Sequence, residues 1–105
     1  DGGTALVLAA GNGREKLVEL ALRHGAEINQ PCGSSSGTAL MGAAGSGQEK
    51  VVDALIRRGA DIDHQSNNGY TALSLAAYHG RPAALVCLLR AGADVTLRTT
   101  DGWTA

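Results

Sequence analysis

The sequence has no phenylalanine, and Tyr70, Tyr78 and Trp103 are its only aromatic residues in 105 positions. A globule of this size ordinarily draws on aromatic bulk, so the 44% apolar share must form an aliphatic core. An excess of either charge is missing too: 9 Lys and Arg stand against 10 Asp and Glu, a net charge of −1. Nothing in that balance draws the chain to nucleic acid or to an anionic membrane surface. With only two cysteines, Cys32 and Cys87, there is no disulfide framework. Cys87 sits within Leu85-Val86-Cys87-Leu88-Leu89 and reads as a buried, reduced thiol. An intracellular setting, cytoplasmic or nuclear, follows from that reading. No run approaches the roughly 20 apolar residues of a membrane span, so direct membrane insertion is not expected, and no signal-like start is visible.

What the sequence does have is periodicity. Thr-Ala recurs at Thr4-Ala5, Thr38-Ala39, Thr71-Ala72 and Thr104-Ala105, at steps of 34, 33 and 33 residues. Gly-Ala recurs in the same register at Gly25-Ala26, Gly59-Ala60 and Gly92-Ala93, as does a glycine column at Gly13, Gly47 and Gly80. The one extra residue falls around Cys32 and Gly33-Ser34-Ser35-Ser36-Gly37, which reads as a surface loop because loops absorb insertions at little cost.

Each unit has a physical logic. Thr4, Thr38 and Thr71 are placed to cap short helices over 5–10, 39–44 and 72–78, their hydroxyls accepting otherwise unpaired backbone N–H groups. Small alanine pairs, Ala9-Ala10, Ala43-Ala44 and Ala76-Ala77, let neighbouring helices approach. The glycine column then supplies a tight turn. Second helices follow over 15–24, 49–58 and 82–91, with Pro82 in a first turn where its missing N–H is harmless. Gly25, Gly59 and Gly92 close them in the left-handed conformation. Leu6, Leu40 and Leu73, with Val18, Val52 and Leu85, are the candidate core columns.

A period of 33 with these motifs resembles the ankyrin repeat family. The family's first-helix motif is matched by Thr4-Ala5-Leu6-Val7-Leu8-Ala9-Ala10, by Thr38-Ala39-Leu40-Met41-Gly42-Ala43-Ala44 and by Thr71-Ala72-Leu73-Ser74-Leu75-Ala76-Ala77. Its loop motif is matched by Gly25-Ala26-Glu27-Ile28-Asn29, Gly59-Ala60-Asp61-Ile62-Asp63 and Gly92-Ala93-Asp94-Val95-Thr96. The family's proline is Ala in every copy, and its histidine is replaced by Val7, Met41 and Ser74, which puts its usual inter-loop histidine bonds in doubt. Gly42 takes what reads as a core leucine position, which makes the second copy the expected soft spot of the stack. The resemblance implies an all-α repeat solenoid, helix-turn-helix units joined by β-hairpin loops, with repeats over about 1–32, 33–65 and 66–98 and the start of a fourth over 99–105. Neither end carries an evident polar cap, so the chain is expected to be part of a longer array, and of a larger polypeptide or complex.

Catalytic and ligand-binding patterns are not in evidence. His24, His64 and His79 lie in no metal-binding spacing. Gly11-Asn12-Gly13 is a bare Gly-x-Gly after a helix rather than a strand, and Gly42-Ala43-Ala44-Gly45-Ser46-Gly47 is followed by Gln48-Glu49 where a phosphate loop needs Lys. The expectation is no enzyme, no cofactor, no metal and no nucleic acid. Glu19 with Arg23 and Asp53 with Arg57 are spaced as i,i+4 ion pairs on the second helices.

In the family, hairpin tips and first helices line a concave face that holds a protein partner. The residues before each Thr and before each turn glycine fall there, and all three aromatics occupy such positions. The resemblance therefore implies a non-catalytic interaction scaffold with partner-binding residues Asn67, Asn68, Tyr70, Tyr78, His79 and Trp103. A competing reading for Tyr70 and Trp103 is packing on the adjacent hairpin. An alternative function is a regulatory or accessory array attached to an enzyme or channel domain outside these residues.

Overall fold

The computed structural model describes residues 2–34 and 36–95, with only the backbone described for 2–4. Among these residues six helices follow in order: α1 (Gly2–Gly11), α2 (Glu15–Arg23), α3 (Ala39–Gly45), α4 (Glu49–Arg57), α5 (Ala72–Tyr78) and α6 (Pro82–Arg90). They form three antiparallel pairs stacked in two layers. In one layer α3 lies between α1 and α5, and in the other α4 lies between α2 and α6. This is the stack that the periodicity predicts.

Local chemistry explains the helix ends. Thr38 Oγ1 accepts from the Met41 N–H at 3.5 Å. Thr71 Oγ1 accepts from the Ser74 N–H at 3.1 Å, and Ser74 Oγ accepts in return from the Thr71 N–H at 2.7 Å. Ser74 thus completes a capping box in place of the usual Glu or Gln. α1 starts at Gly2, ahead of the start expected at Ala5, so the backbone at Thr4 is already helical. The turn glycines Gly13, Gly47 and Gly80 have φ of +72°, +75° and +65°, where a side chain would be strained.

The core is aliphatic and built in columns. Leu6, Leu40, Leu73, Val18 and Val52 are buried, as are Ala9, Ala10, Ala43, Ala44 and Ala76. Leu85 is half-buried against them, because α6 is the last helix described and is flanked only on the α4 side. The hairpin character of the loops is slight: Cys32 and Gly37 form an isolated antiparallel bridge. A second periodic contact ties the loops together. Asn29 Oδ1 accepts from the Asp61 N–H at 2.7 Å, and Asp63 Oδ1 accepts from the Asp94 N–H at 2.8 Å. These side-chain bonds join successive loops where the family's histidines are absent.

Gly42 does not stand in a fully buried column. Its counterparts are Leu8, 61% exposed, and Leu75, half-buried against the core. A Cβ built on Gly42 would lie 3.8 Å from the Val7 carbonyl oxygen and 3.9 Å from Val7 Cγ1, ordinary contact distances. Gly42→Ala is therefore expected to raise stability by about 1 kcal/mol, the helix penalty of glycine, in a denaturant melt. A loss of stability would show that α1 and α3 are packed too closely for a methyl group.

Candidate functional site

Five of the six residues singled out from the sequence, Asn67, Asn68, Tyr70, Tyr78 and His79, fall at the two ends of α5. At its N-terminal end, the tip over 66–70 is closed by the Ser66 N–H donating to the Tyr70 carbonyl at 2.8 Å and the Tyr70 N–H donating to Ser66 Oγ at 3.2 Å. Asn67 Nδ2 donates to the Ser34 carbonyl at 2.8 Å, which ties this tip to the preceding one. His64 Nε2 lies 3.0 Å from the Ser36 carbonyl, and a carbonyl can only accept, so this nitrogen carries the proton. Asn68 is exposed. Tyr70 is half-buried and packs against the core, so much of its ring is committed to the fold.

At the other end, Tyr78 closes α5 and His79 caps it. Tyr78 is 68% exposed. Its ring meets that of His79 edge-on, with centroids 5.0 Å apart and planes at 87°, a preferred aromatic geometry. The structure thus brings Tyr78 and His79 together, and Asn67, Asn68 and Tyr70 together, roughly 10 Å apart along the helix rise. Trp103 lies outside the described residues.

A second feature was not read from the sequence. An open groove of about 890 Å³ runs between α2 and α4, lined among others by Leu20, Arg23, Ala54, Arg57 and Arg58. Here the expected pairing of charges is half right. Asp53 binds Arg57 at 3.1 Å. Glu19, however, turns from Arg23 to Arg58 of the next helix pair, which grips it with two guanidinium nitrogens, Nε at 3.1 Å. The planar fork of an arginine across the groove makes two charge-assisted bonds, which the i,i+4 partner does not match. The sequence signal was weak, because Arg58 has His24 and Ala91 as its counterparts.

The Arg58 hydrogen bonds hold the Glu19 carboxyl below the ordinary value of 4.5. Since its folded pKa is depressed, the stabilisation is full above that ordinary value and is lost as the pH falls through the lowered one. Unfolding midpoints followed from pH 7 to about pH 3 are expected to fall less steeply in Glu19→Gln than in the parent chain. Identical slopes would show the pair to contribute nothing. Cys87, expected to be buried, is only half-buried, and its Sγ lies 4.0 Å from Glu49 Oε2. Desolvation, with Glu49 and Asp53 nearby, pushes the thiol up from its usual range, which keeps it protonated and a poor nucleophile at neutral pH.

Among the described residues no helix is long and apolar enough to cross a membrane. A family model described as ankyrin repeats in three copies matches residues 1–66, and one described as ankyrin repeats in many copies matches residues 55–105. A search of curated proteins found no match. Ankyrin repeats are generally protein-protein interaction modules and are typically non-catalytic. The first of these models covers more than half of the chain, and with the stacked helix pairs, the Thr caps and the loop ladder it leads to one conclusion: the chain belongs to the ankyrin repeat family.

Proposed function

We propose that the chain is a non-catalytic scaffold that holds a protein partner on the concave face formed by hairpin tips and first helices. The observation that carries this reading is the exposed Tyr78 set edge-on against His79. The two preceding helix pairs have Gly11-Asn12 and Gly45-Ser46 at these positions and offer far less contact area. Interface energy concentrates in a few aromatic anchors, so the contact is weighted toward the third pair, with Asn67, Asn68 and Tyr70 at the tip, and Trp103 further along the chain. An intracellular protein partner within a larger polypeptide or complex fits this scaffold.

The test is a binding titration with the partner obtained by affinity capture. Tyr78→Ala is expected to weaken binding at least about tenfold while circular dichroism shows an unchanged fold. Asn12→Ala, at a counterpart position in the first pair, is expected to leave affinity within about twofold. Tyr70 is tested by Tyr70→Phe, because alanine there also removes packing. Unchanged affinity in Tyr78→Ala would refute the weighting. A partner lost only on changing Arg23 and Arg57 would move the site to the outer groove.

A further inference from the structure

The groove between α2 and α4 differs in charge from the chain as a whole. Lys16, Arg23, Arg57 and Arg58 line it against two carboxylates, Glu15 and Glu19, whereas the whole chain has a net charge of −1. Glu19 is already taken, since Arg58 binds it from across the groove. That bond withdraws from Arg23 the carboxylate spaced to serve it. Among the described residues Arg23 and Lys16 have no ion pair. Arg57 keeps Asp53, but both side chains are more than half exposed. A pair so exposed contributes little and exchanges readily for another carboxylate.

A cation in the last turn of a helix also offsets the negative end of that helix. α6 carries Arg90 there, as α2 carries Arg23 and α4 carries Arg57, so helix ends alone do not set this groove apart. What crosses it does. Between α4 and α6, Ala91 stands in the column of Arg58 and Cys87 in that of Ala54, and the Cys87 thiol faces Glu49. The groove between α2 and α4 has its cations beside an apolar strip. Ala54 is buried and Leu20 is 49% exposed. Lys16, Leu20 and Arg23 follow the i, i+4, i+7 spacing of one helix face, which sets Leu20 between the two free cations.

We infer that this groove is a second docking site, which takes an acidic segment of a partner protein. α2 and α4 are in contact, and packed helices lie about 8–10 Å apart. In an extended polyproline II segment, residues three apart share a face and stand about 9 Å apart. Two carboxylates at that spacing reach Arg23 and Arg57, and an apolar side chain between them covers Leu20 and Ala54. Guanidinium forks bind carboxylates through paired charge-assisted bonds, which gives the site its preference for Asp and Glu. Arg58 stays on Glu19 and keeps α2 and α4 joined. The site lies on the layer of second helices, whereas Tyr78 and His79 lie at the end of α5, so it does not rest on the concave-face reading.

The probe is a fluorescein-labelled peptide, Gly-Glu-Leu-Ser-Glu-Gly, titrated with the full chain. It is expected to bind with a Kd below about 100 μM, and to lose at least about threefold in affinity between about 50 and 200 mM salt. Arg23→Gln and Arg57→Gln are each expected to weaken binding at least about fivefold, with unchanged circular dichroism. Arg90→Gln, in the same column on α6, and Tyr78→Ala are expected to leave it within about twofold. A control peptide with Gln for both Glu residues is expected to bind at least about tenfold more weakly. No binding of the acidic peptide, equal binding of the control, or indifference to both arginine changes would overturn the inference. Loss in Tyr78→Ala alone would also overturn it and place the peptide on the concave face. Equal affinity for inorganic phosphate, single-stranded nucleic acid or vesicles containing phosphatidylserine would overturn it as well, since the groove would then be an unselective cationic surface.

Discussion

Leu40→Ala is expected to destabilise the chain by about 2–5 kcal/mol, the range for truncating a buried leucine. Leu40 is 1% exposed and stands on α3, the helix that packs on α1, α4 and α5 at once. Truncation removes apolar area from water-free contact and leaves a cavity that rigid neighbours fill only in part. The position in the stack adds to this. Stability of a repeat array is approximately a sum of unit and neighbour terms, and a weakened central unit loosens the contacts on both of its sides. Leu8→Ala, the same change at a 61% exposed site, is expected to cost less than about 1 kcal/mol. Urea melts of the two variants check both values. A loss below about 1 kcal/mol for Leu40→Ala would contradict its place in the core.

Ala44→Leu is expected to cost about 1–3 kcal/mol, because extra methylenes in a close-packed site force neighbours out of their rotamers. Ala44 is fully buried at 0% exposure, and it belongs to the alanine pair that lets first helices pack side by side. Ala77 occupies the same column on α5 yet is exposed. Ala77→Leu is therefore expected to change stability by less than about 0.5 kcal/mol. Thermal melts of both variants make the comparison, since helix propensity differs little between Ala and Leu. Equal losses would mean that the alanine column is required for something other than close approach. A gain in Ala44→Leu would mean that α3 is less tightly held than its burial implies.

The sequence by itself determined the repeat register, the number of helix pairs among the described residues and most of the helix bounds. These depend on local chemistry: Thr38 and Thr71 bond within their own first turns, the turn glycines set their own φ, and Leu40 and Leu73 recur at one period. The tip and the turn of the third pair were legible for the same reason, since position within the unit places Tyr70 and Tyr78 without knowledge of neighbours. Only the tertiary structure decided what depends on the adjacent unit. Glu19 takes Arg58 rather than Arg23 because α4 brings a guanidinium fork across the groove. Tyr70 divides its ring between core and surface, and Leu8 and Leu75 share a column but differ in burial. The Gly-x-Gly that read as a weak phosphate motif proved to be a cradle for the side chain of the following pair. A one-dimensional stack repeats its internal bonds in every unit, but its interfaces are made by two different units, and the identity of the neighbour is not written within either one.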